Sequence, residues 1–192
     1  MRYSSTHKQE TREKLLNSSQ AIAKKGGFDS TGVDALMGAI GLTGGAFYSH
    51  FDSKAELFAE VIQRELANSA EMLAGEDETA EDHFVKRIRS YLSSSHALHP
   101  ESGCVLPTLG PEIARSGPAV RASVEESAKK LQSSWRQRLD DPDAAWALIA
   151  QCVGAILLAR VVETDRTRQQ ILASSRRFLG RSIERLEPLS KT

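Results

Sequence analysis

Net charge is what this sequence lacks most plainly: 25 Lys and Arg side chains balance 25 Asp and Glu over 192 residues. No global positive field draws the chain to nucleic acid or to an anionic membrane, so any basic surface has to be local. Cysteine is scarce. Cys104 and Cys152 stand far apart without CxxC spacing, which excludes a disulfide framework and fits a reducing, cytoplasmic setting. No apolar run approaches ~18 residues, so no membrane partner is expected. The opening "MRYSSTHKQETREK" is polar and lacks the apolar centre of a signal peptide. Alternating strand patterns are nearly absent, and aromatics make up only 6% of the chain.

Catalytic signatures are missing too. There is no GxSxG, no P-loop, no HExxH and no GxGxxG after a strand, so neither an enzyme nor a cofactor is expected. His96, His99, Glu101 and Cys104 lie close together in sequence, but H-x2-H-x-E-x2-C is not a defensible metal spacing, and no metal is expected. No lysine or arginine neighbours Cys104 in sequence, which leaves redox activity there a minor reading.

What is present is helical spacing from end to end. A first helix starts near Thr6 and His7, with Thr6 and Gln9 at capping-box spacing, and ends at Gly26-Gly27. Thr31 and Asp34 repeat that spacing before a short helix that Gly41 stops. Leu42 then lies in a tight turn, and Thr43 is placed to cap a third short helix. Ser53 and Glu56 open a fourth, which reaches about Leu73. The acidic linker "AGEDETAED" follows. A fifth helix is expected from about Thr79 to His96, and "CVLPTLGPEIARSGP" reads as a helical segment broken by proline and glycine. Pro118 opens a helix to Leu139, and Asp141-Pro142 opens the most apolar one, to about Val162. A last helix begins near Thr167. The fold class is therefore all-α, with about nine helices.

The stretch "GLTGGAFYSHFDSK" is unusual for a core helix, because Gly44 and Gly45 each cost about 1 kcal/mol against alanine in a helix interior. A long helix, a short helix, a glycine-containing turn and a second short helix make a helix-turn-helix, which can present its last helix to a DNA major groove. Phe47 and Phe51 are expected inside against Leu36, Ile40 and Leu57. Tyr48 and His50 then point outward, each with a polar tip for a phosphate oxygen. Ser49 can reach a phosphate or a base edge, and Lys54 adds a charge at the start of the next helix. Residues 1–54 carry seven basic and five acidic side chains, so the local charge is only mildly positive. Arg2, Lys8 and Arg12 could form an arm along the DNA backbone.

From about Thr11 to Phe58 the chain resembles the tetracycline-repressor (TetR) family. The matching elements are "TREKLL", Gly27-Phe28, Thr31, "GLTGGAFYSHF" and "SKAELF", in the family's order and spacing. The resemblance implies a helix-turn-helix DNA-binding domain over residues 1–53 and an effector-binding and dimerisation domain over residues 54–192. It implies a ligand-responsive transcriptional regulator, most simply a homodimeric repressor that a small molecule releases from a palindromic operator on double-stranded DNA. The DNA-facing set is Thr31, Thr43, Gly44, Gly45, Tyr48, Ser49, His50 and Lys54. Many relatives carry a lysine or other long polar side chain where this chain has Gly44, which moves weight from base contacts toward shape and backbone contact.

In the larger domain, Phe84, Ile88, Tyr91, Cys104, Leu109, Ile113, Val124, Leu131, Trp135 and Trp146 are candidates to line a ligand cavity, with plain core as the default. Ile149, Cys152, Ala155, Ile156, Ala159, Phe178, Leu179 and Ile183 are candidates for the dimer interface, so a large charged residue at Ala155 is expected to yield monomers. The competing reading is a helical ligand-binding or protein-interaction module that no longer reads DNA specifically.

Overall fold

The computed structural model describes residues 5–74 and 81–186. Arg2, the acidic linker at Glu76, Asp77 and Glu78, and the helix start expected at Thr79 lie outside the described residues. Among those described there are nine α-helices and no strand. They are α1 Ser5–Gly26, α2 Val33–Gly38, α3 Lys54–Ala74, α4 Glu81–Tyr91, α5 Ser94–Leu98, α6 Leu106–Arg115, α7 Pro118–Leu139, α8 Pro142–Val161 and α9 Asp165–Leu186. Two short 3-10 helices, Gly44–Ser49 and Pro100–Ser102, complete the order.

Two apolar cores organise these elements. The first gathers Leu15 and Leu16 of α1, Leu36 and Met37 of α2, Phe47 and Phe51, and Leu57, Val61 and Ile62 of α3. Burying each such side chain contributes about 1.5–3 kcal/mol, so this small head is held chiefly by its aromatic and leucine contacts. The core does not stop at residue 53. It continues along α3 and takes in Val105 at the cap of α6, Leu109 and Ile113 within α6, and Val120 in the first turn of α7. The second core joins Phe84, Ile88 and Tyr91 of α4 to Leu131 and Trp135 of α7, Cys152 and Ile156 of α8, and Leu172 and Leu179 of α9. Phe84 meets Trp135 edge to face at 5.0 Å.

Several local expectations are corrected. α1 already includes Ser5, so Thr6 is not at its cap position. Gly32, not Thr31, holds the cap position of α2, and neither Gly32 nor Thr43 supplies a side-chain cap. The segment expected as one helix from Thr79 to His96 is two, because Ser93 caps a new start by accepting from the His96 amide. The His96 ring folds back so that its Nδ1 lies 2.6 Å from the Tyr91 carbonyl, which satisfies the end of α4. The segment expected to be broken is instead the regular helix α6, despite Pro111 inside it. Other starts stand as read: Glu56 donates its amide to Ser53 Oγ at 3.1 Å, and Asp141 Oδ1 accepts from Asp143 and Ala144.

α8 is the one described helix long and apolar enough to cross a membrane by length and composition, with mean hydropathy 1.8. Its inner face packs on α7 and α9. This packing revises the proposed interface residues. Ile149, Cys152, Ala155, Ile156, Ala159, Leu179 and Ile183 are all buried inside the single chain, and only Phe178 of that set is exposed. The spacing showed two apolar stripes on α8 but not which one the protomer itself consumes. The outward apolar residues are Trp146, Leu157, Leu158 and Val161. A charge at Ala155 would therefore break the protomer core rather than split a dimer.

Candidate nucleic-acid interface

The recognition segment begins at Gly41, whose φ of +75° turns the chain out of α2 in a conformation that favours glycine. The Leu42 amide donates back to the Met37 carbonyl at 3.0 Å, closing the turn. Thr43 is extended, and Gly44–Ser49 then winds as a 3-10 helix rather than an α-helix. Phe47 is buried and stacks on Phe51 with ring centres 5.9 Å apart. Tyr48 stands edge-on to Phe47 at 5.3 Å and is 67% exposed. The alternation is what the sequence implied: one aromatic anchors the turn, and the next presents a hydroxyl outward.

The polar set divides into free and engaged groups. Thr43, Gly45 and Tyr48 are exposed. Ser49 Oγ donates to the Ala46 carbonyl at 2.7 Å, and Thr31 Oγ1 donates to the Gly27 carbonyl at 3.0 Å. Each hydroxyl has one proton, so in this arrangement neither can also donate to a phosphate. Lys54 Nζ donates to the Asp29 carbonyl at 3.0 Å and lies 5.0 Å over the Phe28 ring, leaving its other protons for an anion. His50 is half-buried, and its Nδ1 is sealed without a partner. Burial, then the charges of Lys8 and Arg12 and the nearby His7, hold its pKa below 6.5. Burial and these neighbouring charges thus favour the neutral ring in the free protein, whereas a phosphate brought close would favour the charged one.

Gly44 has a packing reason. A Cβ built there would lie 1.9 Å from Asp34 Oδ1, so the glycine makes room for a carboxylate of α2. Gly45 has open space around it. The arm is also revised. Arg12 pairs with Glu60 and covers the Phe51 ring at 4.4 Å, so it fastens α1 to α3. Lys24 is buried against Glu65 at 2.7 Å and reaches the Gly103 carbonyl. Lys8 remains exposed. It lines a groove of about 300 Å³ with His7, Thr11, Leu42, Ser49 and His50, between α1 and the recognition turn.

One residue that fastens the head to the rest was missed by sequence. Glu112 of α6 accepts from the Phe28 amide with both oxygens, at 3.1 and 3.0 Å, and from the Asp29 amide at 3.0 Å. Gly27, at φ +84°, gives that carboxylate access, since a Cβ would meet it at 2.8 Å. Gly27 read as a helix terminator and as part of the family's pattern with Phe28, and nothing local in sequence ties it to residue 112.

The candidate ligand residues do not enclose a sizeable cavity. Phe84, Ile88, Tyr91, Cys104, Leu131 and Trp135 are packed in the second core, whereas Leu109 and Ile113 belong to the first, with Val124 packed against it. Trp146 is exposed on α8 and far too open to line a cavity. Between the two cores is a space of about 20 Å³ bordered by Ser69, Cys104, Leu106, Val124 and Leu131. The buried Tyr91 hydroxyl and Arg160 Nε beside this junction have no hydrogen-bond partner. His96 Nε2 accepts from the Cys104 amide at 2.9 Å, so with Nδ1 at the Tyr91 carbonyl both ring nitrogens are engaged. Burial pushes the Cys152 thiol up to about 12.

The family model for bacterial regulatory proteins of the TetR family matches residues 15–61, which spans the helix-turn-helix described above. An HTH-type transcriptional regulator in the lacX 3' region of Lactococcus lactis subsp. lactis is 26% identical over 80% of this chain and 85% of its own length. The HTH-type transcriptional repressor DhaR of Mycobacterium sp. (strain GP1) is 23% identical over 84% of this chain and 88% of its own. Among solved structures, a TetR transcriptional regulator from Chloroflexus aurantiacus superposes with a TM-score of 0.72 at 25% identity, covering 91% of this chain and 96% of that one.

Proposed function

The chain belongs to the TetR family of bacterial transcriptional regulators, and on that premise we propose that it is a homodimeric repressor of the cytoplasm, released from a palindromic operator by a small molecule. The observation that carries the DNA side is the exposed Tyr48 hydroxyl, held outward by buried Phe47 beside exposed Thr43 and Gly45. Tyr48, His50 and Lys54 hold phosphates, and the start of the recognition turn faces the bases. Two such heads, about 34–36 Å apart, fit successive major grooves. Support for pairing comes from Trp146, Leu157, Leu158 and Val161 of α8 and Phe178 of α9, large apolar side chains left exposed on two helices that pack on each other. The mycobacterial relative DhaR is a transcriptional repressor.

The effector enters at the junction of the two cores, where Tyr91 offers an unspent hydroxyl and the small space by Cys104 opens further on binding. α6 borders that space through Leu106 and grips the head through Glu112. A ligand that favours a displaced α6 shifts the heads away from the DNA-fitting spacing, and affinity falls by its differential binding to the two states.

Selection of random duplex DNA on the ligand-free protein tests this reading. An enriched inverted repeat is the expected result. A folded protein that enriches nothing at low salt would refute it, and the non-DNA-reading module would take its place.

A further inference from the structure

The geometry points to Asp34 as a specificity-determining residue, one that selects an amine-bearing base, cytosine or adenine, over guanine or thymine at one position of the contacted strand in the major groove. This inference rests on the DNA-binding reading above. Asp34 sits in the first turn of α2, yet its carboxylate lies across the first residue of the recognition turn. Oδ1 occupies the position where a side chain on residue 44 would begin, 1.9 Å from the Cβ that Gly44 lacks. The N-terminal residues of a recognition helix are those that reach base edges. Here the side chain at that place is therefore supplied by α2 rather than by the recognition turn.

The carboxylate is exposed and makes no hydrogen bond or ion pair with a described residue. Its acceptors are thus unspent. An ionised carboxylate only accepts, so in the major groove it matches the N4 amine of cytosine or the N6 amine of adenine. Opposite guanine O6 and N7 or thymine O4 it meets acceptors only. Nearby phosphates repel it as well, so an operator that offers no amine there leaves the charge uncompensated. A carboxylate in this position raises specificity at the expense of general DNA affinity.

The test is selection of random duplex DNA on the wild-type protein, Asp34→Ala and Asp34→Asn, followed by titration of the enriched site and its single-base variants. Thermal melting checks that each variant is folded. The wild type is expected to prefer an amine-bearing base at one symmetric position in each half-site. Asp34→Ala should keep the inverted repeat and lose that preference, by roughly five- to a hundredfold at this position alone. Asp34→Asn should move the preference to adenine, which asparagine reads with both its groups. Gly44→Ala, which forces the carboxylate aside, should disturb the same base position. A uniform change in affinity across all sequences, or an unchanged preference in Asp34→Ala, would overturn the role of Asp34 while leaving the regulator intact. Absence of any enriched site with the wild type would overturn both.

Discussion

Tyr48 and Phe178 are both exposed aromatic rings, at 67% and 54%, but their surroundings differ. Tyr48 stands edge-on to buried Phe47, with exposed Thr43 and Ser49 in the same segment of the chain. Phe178 lies beside Ala144, Ala147 and Leu148 of α8, the helix whose outward apolar residues also include Trp146, Leu157, Leu158 and Val161. The first pattern suits a wet, charged partner that is met by hydrogen bonds. The second suits a dry one, because exposed apolar surface costs free energy until another surface covers it. The lesson is that exposure of a ring means little until its neighbours are counted.

The sharpest way to break this comparison is a charge among these apolar residues. Leu158→Asp should leave the protomer folded, since Leu158 is more than half exposed at 54%. It should weaken association by on the order of 2–4 kcal/mol, as for a central interface residue, and operator affinity should collapse with it. Sedimentation equilibrium reads the first effect directly. A dimer of unchanged affinity would remove this face from the interface. Ala155→Glu is the control in the opposite direction: Ala155 is buried, so unfolding rather than dissociation is expected.

A second break severs the head from the body. Glu112→Ala removes three charge-assisted contacts to the Phe28 and Asp29 amides and should cost about 1.5–3 kcal/mol. Hydrogen exchange at those two amides should accelerate strongly while that of α8 stays near the wild-type value. Slow exchange at Phe28 and Asp29 in the variant would mean that the apolar contacts alone hold the head.

How much of this was legible in the sequence follows from the range of each interaction. The inward-outward alternation of Phe47, Tyr48 and Phe51 is a local property of the turn, and it was read correctly. So was the Asp141-Pro142 start, because a cap and its amides lie within three residues. Glu112 and Gly27 are 85 positions apart, and no periodicity connects them. That seven of the eight interface candidates are buried within the chain has a related reason. Spacing shows that α8 has two apolar sides, but tertiary packing decides that Ala155 and Ile156 face inward and Leu158 outward. Gly44 was read for its place in the DNA-facing set, and spacing gave no sign that a Cβ there would meet Asp34, ten residues earlier on another helix.

A smaller effect distinguishes the junction of the two cores from both surfaces. Burial holds the His96 pKa below 6.5, and the contact with the Tyr91 carbonyl only partly opposes this. The Cys104 amide donates to Nε2, so the neutral ring with its proton on Nδ1 is the form that fits. The folded-state value is depressed below the unfolded one. Stability from this residue is therefore fully present above pH 6.5 and is lost as pH falls through the folded-state pKa. Thermal midpoints measured from pH 7.5 to 5 should fall, and His96→Gln should flatten that slope. An equal slope in the variant would assign the effect to other groups, His50 first among them, whose pKa is lowered as well.

The smallest change is the removal of a single oxygen. Tyr48→Phe keeps the ring that packs edge-on against Phe47 and deletes only the exposed hydroxyl. If that hydroxyl bonds a phosphate, its loss should cost about 0.5–1.5 kcal/mol, a roughly two- to tenfold fall in affinity. Phosphates are the same in every sequence, so operator and random DNA should weaken by the same factor. The hydroxyl is neutral and releases no counterion, so the salt dependence of binding should keep its slope. Titrations of both DNAs at several salt concentrations separate the possibilities. A loss confined to one operator variant would make Tyr48 a base reader, and the difference between its polar setting and that of Phe178 would then concern sequence selectivity rather than backbone contact.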